Sequence, residues 1–213
     1  MSGGIALLGL RRLPYRSQVQ GTPLGDCWAS PSVKEKNWRR RSFLACDAEM
    51  SSLDPEAGEL LSLGWVGIEC GAVRLSSAEH HLLQPEGGVG QSATIHNLRD
   101  CEFERALSVR EVAEHFLAAA AGRTLVFHNA DLDLAFLNRA SRQLYGVPLL
   151  LPYVDTMAAE HKRLRQRDRA IGPGDLRLQA CRDRYGLPHY PAHNALVDAL
   201  ATAELLLAQY ADR

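Results

Sequence analysis

Three short segments of the chain hold acidic residues that could together surround metal ions. Asp47 and Glu49 lie two residues apart at the end of a predicted strand. Strand periodicity puts both side chains on one face. Two carboxylates that face the same way repel each other unless protons or a cation lie between them. The pair is therefore consistent with either a metal site or a solvated strand end.

A second acidic pair, Asp131 and Asp133, opens a predicted helix after a short apolar strand. Capping and the helix dipole favour aspartate in a first turn, so we expect one of the two to serve only the helix. The third segment holds His193 and Asp198, five residues apart at the start of the last predicted helix. Either residue alone would be typical of a protein surface.

Together these groups are sufficient for metal-assisted hydrolysis of a phosphodiester. Mg²⁺ prefers oxygen ligands and keeps several waters, so a few carboxylates from separate segments can hold it. Two such ions about 4 Å apart can activate a water and stabilise the leaving oxygen. A histidine with an ordinary pKa of ~6.5 can accept the proton of that water. The candidate groups are Asp47, Glu49, Asp198, His193 and one member of the pair Asp131 and Asp133.

The elements that must position these groups lie in residues 42–213. The first half predicts a strand over Ser42–Glu49 and a β-hairpin over Leu60–Glu69 and Ala72–Leu83. A capping box at Ser108–Glu111 begins the helical half. The later predicted elements are a strand over Arg123–His128, helices over Asp131–Tyr145, Met157–Arg167 and Asp175–Tyr185, and a last helix from Leu196. This order predicts an α/β fold with a mixed sheet flanked by helices.

Residues 1–41 differ in composition and predict a basic, partly ordered N-terminal arm. They hold eight lysines and arginines against two acidic residues, a net charge of +6, whereas the remainder of the chain carries −7. Trp28 and Trp38 are its candidate anchors. An acidic main domain is typical of a solvated surface, although acid clustered around a metal would also contribute.

Length and composition are those of a globular protein and argue against secreted, membrane-spanning and disulfide-rich classes. The 213 residues, 46% hydrophobic and 23% charged, are typical of a globular protein with one buried core. Apolar stretches are too short for a secretion signal or a membrane span. The five scattered cysteines include no CxxC pair, which argues against a disulfide framework and a thiolate zinc site. We therefore predict a reduced, cytoplasmic protein without membrane partners.

Five segments, in order, resemble the motifs of the DEDDh 3′→5′ exonucleases. Cys46–Pro55 resembles the first motif, DxExTGLDP, and His193–Ala199 matches the third, HxAxxDA. His128–Leu137 is similar to the second, HNxxFDxxFL, which puts the family aspartate on Asp133 rather than Asp131. Two secondary signatures correspond to Thr94–Asn97 and Val154–Thr156. The likeness is greatest to the proofreading epsilon subunit of bacterial DNA polymerase III and its stand-alone relatives.

The resemblance implies a ribonuclease H-like fold with a mixed five-stranded sheet. It implies Asp47, Glu49, Asp133 and Asp198 as ligands of two Mg²⁺ or Mn²⁺ ions, and His193 as general base. The implied reaction releases nucleoside 5′-monophosphates from the 3′ end of a single strand. By the same analogy, the terminal nucleotide would contact Ser51, His96 and Asn129, although all three are also typical loop or strand-end hydrogen bonders.

The chain departs from the family pattern within its first motif. Met50 and Ser51 replace the usual threonines, and methionine there is also found in oligoribonucleases. Ser52 replaces the motif glycine, which puts substrate handling in doubt. The basic segment Lys162–Arg169 would offer Arg165 and Arg167 to backbone phosphates, or would form a solvated helix end.

Three functions follow from these observations. The first is a free-standing exonuclease on single-stranded DNA, with a possible link to replication or repair proteins. The second is an RNA-trimming enzyme of the ribonuclease T or oligoribonuclease type, suggested by Met50. The third is a non-catalytic nucleic-acid-binding module, against which the retention of all five chemical groups argues.

Overall fold

The structure, a computed structural model, describes residues 2–30, 37–84, 106–191 and 193–212, with the side chains of residues 2–6 left out. The predicted loop at Gly87–Gln91 and the segment Thr94–Asn97, including His96, lie outside the described residues.

A five-stranded mixed sheet forms the centre of the fold, as predicted. Its strand order is β3-β2-β1-β4-β5. The strands β1, β2 and β3 are an antiparallel meander, and β4 and β5 run parallel to β1. Their bounds are Phe43–Met50 (β1), Leu60–Glu69 (β2), Ala72–Leu82 (β3), Thr124–Phe127 (β4) and Tyr153–Asp155 (β5).

Helices cover both faces of the sheet and occur where the sequence predicts them. The capping box at Ser108 is present and begins the first of the main helices. The helices of the main domain are Val109–Ala120 (α4), Ala130–Tyr145 (α5), Thr156–Gln166 (α6), Leu178–Asp183 (α7) and Ala195–Ala211 (α8). Among the described residues, none of the helices is long and apolar enough to cross a membrane.

One predicted helix, Asp175–Tyr185, is shorter in the structure and begins only at Leu178. The Asp175 carboxylate accepts a hydrogen bond from the backbone N–H of Gly172 (2.7 Å). Asp175 therefore closes a turn after the Gly172-Pro173-Gly174 segment, and the helix starts after that turn.

The sheet separates two apolar layers. Leu44, Cys46 and Trp65 point to the face that packs against α4 and α5. Phe43 and Ala45, which alternate with them along β1, point to the opposite face and pack against α8. This alternation decides which face each acidic residue of β1 occupies.

The described part of residues 1–41 is helical and packs on the main domain. Its helices are Ser2–Arg12 (α1), Arg16–Val19 (α2) and Pro23–Ala29 (α3). Leu24 is fully buried in the apolar core, and the Trp28 indole N–H donates to the Leu149 carbonyl (2.8 Å). The Trp38 ring stacks on Tyr210 at 5.3 Å. Both tryptophans are therefore anchors, while a domain boundary at residues 41–42 stays a prediction.

Candidate active site

Two of the predicted ligands lie together at the carboxyl end of β1. Asp47 and Glu49 are register partners of Gly64 and Ser62 on β2, and both project to the face that α8 covers. Parallel α/β sheets bind ligands at the carboxyl ends of their strands. The burial of β1, complete from Phe43 to Cys46, ends at this pair, so the carboxylates open onto a partly exposed edge.

The N-terminus of α8 brings a third carboxylate to this edge. The Asn194 side chain caps the helix by accepting hydrogen bonds from the N–H groups of Leu196 (3.1 Å) and Val197 (3.2 Å). The helix lies so close to β2 that a Cβ on Gly64 would be 2.3 Å from the Leu196 nitrogen. Gly64 therefore permits the approach that places Asp198, one turn into α8, beside β1.

Asp47, Glu49 and Asp198 form one cluster. One carboxylate oxygen of each lies within 4.8 Å of the others. The three residues come from two separate segments of the chain, and each is partly buried. An all-oxygen donor set of this size is typical of a site for Mg²⁺ or Mn²⁺.

Asp133 lies next to this cluster, and Asp131 does not. Asp133 is 5% exposed, and its Oδ1 accepts the backbone N–H of Ala48 (3.1 Å), the residue between Asp47 and Glu49. Asp131 is exposed at the first turn of α5. The predicted alignment of the second motif, with Asp133 as its inward aspartate, agrees with this placement.

The electrostatics of the cluster favour a bound cation. Burial raises the pKa of Asp47 well above its usual value, and the charges of Asp133, Asp198 and Glu49 raise it further. Burial also raises the pKa of Asp133 to about 7, against the lowering effect of its backbone hydrogen bonds. Like charges held this close are costly without a counter-charge, and a divalent cation supplies one. The residues present therefore fit the metal that the family implies.

His193 lies at the mouth of the cluster. Its backbone N–H donates to Asp198 Oδ2 (2.9 Å), and its backbone is in the left-handed region with a φ of 68°. The side chain is exposed. This arrangement ties the histidine backbone to a ligand of the cluster while the imidazole faces solvent, from which a substrate would arrive.

Asp155, which the sequence offers only as part of a secondary signature, organises the backbone behind the site. Its carboxylate caps α6 through the N–H of Met157 (2.8 Å). The same carboxylate accepts the N–H groups of Asn129 and Ala130 (both 3.2 Å), which begin α5. One side chain therefore fixes the helix that carries Asp133.

His128 of the second motif has a structural place beside Asp155. Its Nε2 is 2.8 Å from the Leu176 carbonyl, and its Nδ1 is 2.8 Å from the Thr156 hydroxyl. Burial lowers the pKa of this imidazole. Since a carbonyl only accepts, Nε2 donates to the Leu176 carbonyl. The Thr156 hydroxyl beside Nδ1 donates to the Phe127 carbonyl (3.1 Å).

Two of the predicted substrate contacts, Ser51 and Asn129, lie among the described residues. Ser51 directly follows β1, and its hydroxyl accepts the N–H of Glu59 (2.9 Å), which closes the loop after the strand. Asn129 begins α5 with a left-handed φ of 77°, and its side chain makes no capping hydrogen bond. Both are partly exposed at the edge of the sheet that holds the carboxylates.

The structure does not bring Arg165 and Arg167 to the carboxylates. They lie at the far end of α6, which starts beside the site at Asp155 and extends about 15 Å away from it by Arg165. Arg167 is 3.7 Å from Asp212, which follows the end of α8, roughly 20 Å along that helix from Asp198. The two arginines are therefore remote from the carboxylates, and their contact with backbone phosphates stays a prediction.

Comparison with known proteins matches most of the chain to exonucleases. A family model described as exonuclease matches residues 44–206. The chain is 28% identical over 174 residues to a PolC-type DNA polymerase III from Thermotoga petrophila. The aligned region covers 81% of this chain and 12% of that protein. It is also 28% identical over 171 residues to DNA polymerase III subunit epsilon from Treponema pallidum. This aligned region covers 77% of this chain and 74% of that protein.

Solved structures show the same fold at low sequence identity. Exonuclease I matches with a TM-score of 0.64 and 15% identity over 78% of this chain and 40% of that one. Cell-death related nuclease 4 matches with a TM-score of 0.64 and 15% identity, over 80% of this chain and 64% of that chain. The chain spans only about an eighth of the PolC-type relative. Because the family model covers most of its length and its motifs are those of the DEDDh group, the chain belongs to the exonuclease family.

Proposed function

We propose that this chain is a metal-dependent 3′→5′ exonuclease that hydrolyses single-stranded DNA ends. The observation that carries the proposal is the convergence of Asp47, Glu49 and Asp198 within 4.8 Å, with Asp133 bonded to the intervening backbone. Structural roles alone would not require four acidic groups to converge on one partly exposed edge. The curated relatives named as DNA polymerase III support DNA as the substrate class.

The carboxylates would hold two Mg²⁺ or Mn²⁺ ions. When bound, such ions supply Lewis-acid activation of water and stabilise the leaving oxygen. Asp47 would be a central ligand, because the charges of Asp133, Asp198 and Glu49 all act on its carboxylate. Asp133 keeps its Oδ1 aligned through the Ala48 N–H, which fixes the distance between α5 and β1.

His193 would serve as the general base. Its exposed imidazole accepts a proton from the attacking water, while its backbone hydrogen bond to Asp198 limits its distance from the ligands. Ser51, Asn129 and His96 would contact the terminal nucleotide.

Product analysis tests this function directly. The purified chain is given single-stranded DNA and RNA of matched sequence, labelled at the 3′ or 5′ end, with Mg²⁺, Mn²⁺ or EDTA. We expect 5′-labelled DNA to shorten stepwise and 3′-labelled DNA to release nucleoside 5′-monophosphate at once, both only with metal. Faster cleavage of RNA would favour the RNA-trimming enzyme, and binding without mononucleotide release would favour the binding module.

A further inference from the structure

A second group of potential metal ligands lies on the other face of the sheet. Glu79 and His81 occupy alternate positions on β3, so both side chains project from one face of this strand. His115 projects toward them from α4. One ligand atom of each residue lies within 4.8 Å of the others.

This group is separated from the carboxylate cluster by the sheet. Glu79 is the register partner of Trp65, whose ring is in the core layer beneath α4. Asp47 is the register partner of Gly64, which faces α8. Since Gly64 and Trp65 are consecutive in β2, the Cα–Cβ directions at the two positions point to opposite faces. The two clusters are therefore independent sites.

His81 is held in place by the core, and His115 contacts it. The His81 ring packs on the buried Trp65 ring at 5.0 Å, and Trp65 in turn contacts Phe116 of α4 at 5.7 Å. His81 and His115 approach edge to face at 5.1 Å. His81 Nε2 is 3.0 Å from Glu79 Oε2, and the His81 side chain is only 16% exposed.

We propose that Glu79, His81 and His115 bind one Zn²⁺ ion. Two imidazole nitrogens and one carboxylate oxygen are a ligand set that Zn²⁺ accepts, whereas Mg²⁺ prefers oxygen alone. A tetrahedral ion then keeps one position for water, and Glu79 and His115 line a surface cavity of about 390 Å³ that has room for it. Arg123 lines the same cavity, but its guanidinium is paired with Glu69 (2.8 Å), which offsets its charge.

The ion would fasten an edge strand to a helix. β3 is an edge strand of the sheet and supplies two of the ligands, while His115 is the ligand that α4 supplies. Binding to the folded state alone raises the unfolding temperature. Zinc should therefore stabilise the fold without taking part in hydrolysis.

Zinc titration of the full chain in excess Mg²⁺ tests the proposal, because Mg²⁺ competes for the all-carboxylate cluster. Zn²⁺ affinity is measured against a chromogenic chelator, and Co²⁺ is used as a visible-absorption probe of nitrogen ligation. We expect one Zn²⁺ per chain and a higher unfolding temperature. His115→Ala, an exposed change on α4, should weaken affinity by at least the ~10–100-fold that loss of an outer-shell partner costs.

Matched variants separate this site from other binding. His189→Ala removes a histidine whose side chain is 75% exposed and pairs with Asp183, and it should leave zinc affinity unchanged. Asp47→Asn should also retain the ion, so the result does not depend on exonuclease activity. Equal zinc affinity in wild type and His115→Ala, or no zinc retained in excess Mg²⁺, would overturn the proposal.

Discussion

The two aspartates that open α5 are chemically alike but lie in different environments. Asp133 is buried against β1, and Asp131, two residues earlier, is exposed. Asp133→Asn should therefore reduce turnover by several orders of magnitude, because it removes a ligand charge. Asp131→Asn should leave turnover within about twofold, as is usual for a surface change. The turnover of both variants is measured as the metal-dependent release of mononucleotides. Equal losses of turnover in the two variants would contradict the assignment of Asp133 as a metal ligand.

The raised pKa of Asp133 predicts how pH affects the metal-free protein. The folded value is about 7, and an aspartate in the unfolded chain titrates near ~3.9. The folded state therefore binds the proton more tightly, and this contribution to stability is full below about pH 4 and is lost as pH rises through about 7. Urea unfolding in EDTA should show the decline.

Asp133→Asn is the control for that measurement, because it removes the titrating group and should flatten the decline. Saturating Mg²⁺ should flatten it as well, since a bound cation favours the ionised carboxylates. A wild-type free energy of unfolding that increases over this pH range more than that of Asp133→Asn would contradict the prediction.

The close contact between β2 and α8 depends on the absence of a side chain at Gly64. Gly64→Ala would put a Cβ 2.3 Å from the Leu196 nitrogen, so the N-terminus of α8 must move. We expect a loss of about 1–3 kcal/mol in stability, typical of overpacking, and about 100-fold or more in turnover as Asp198 is displaced. Gly9→Ala, where nothing lies within 4 Å of the added Cβ, is the control.

Thermal unfolding and turnover are measured on both glycine variants. A fully active Gly64→Ala enzyme would show that the close approach of α8 is not needed to position Asp198.

Two helix caps differ in what they hold. Asp155 caps α6 and also binds the start of α5, whereas Ser108 caps only α4. Asp155→Ala and Ser108→Ala should each cost about 0.5–2 kcal/mol in stability, the usual value for a cap. Only Asp155→Ala should also lower turnover, because the helix that carries Asp133 loses its anchor. Similar turnover in the two variants would limit Asp155 to a capping role.

The whole molecule places its basic segment far from its acidic site. A double variant, Arg165→Ala with Arg167→Ala, should leave hydrolysis of a dinucleotide unchanged, since both residues lie at the far end of α6. On a long single strand, the logarithm of the binding constant falls linearly with the logarithm of the salt concentration. Loss of two phosphate contacts would make this slope shallower by about 1.4. Arg74→Ala, an exposed change on β3, is the control.

Either result of that experiment is informative. Slower cleavage of the dinucleotide would contradict the distance between α6 and the carboxylates. An unchanged salt slope would identify the segment as a solvated helix end.

Local patterns in the chain were enough to predict most elements and the composition of the site. Alternation placed Asp47 and Glu49 on one face of β1, and the capping box at Ser108 marked the start of α4. These features depend on neighbours within a few residues, which is the range over which dihedral preference and side-chain periodicity act. The short strand β5 was indicated only through the family resemblance.

Distances between segments depended on packing that no local pattern encodes. The spacing in the chain gives no measure of how near Asp198 comes to Asp47, because Gly64 and the direction of α8 set that distance. The same packing carried Arg165 away from the site and buried Leu24 of the N-terminal segment in the core. The residue types thus indicated which chemistry the protein could perform. The long-range contacts of helices with the sheet determined which residues share a site.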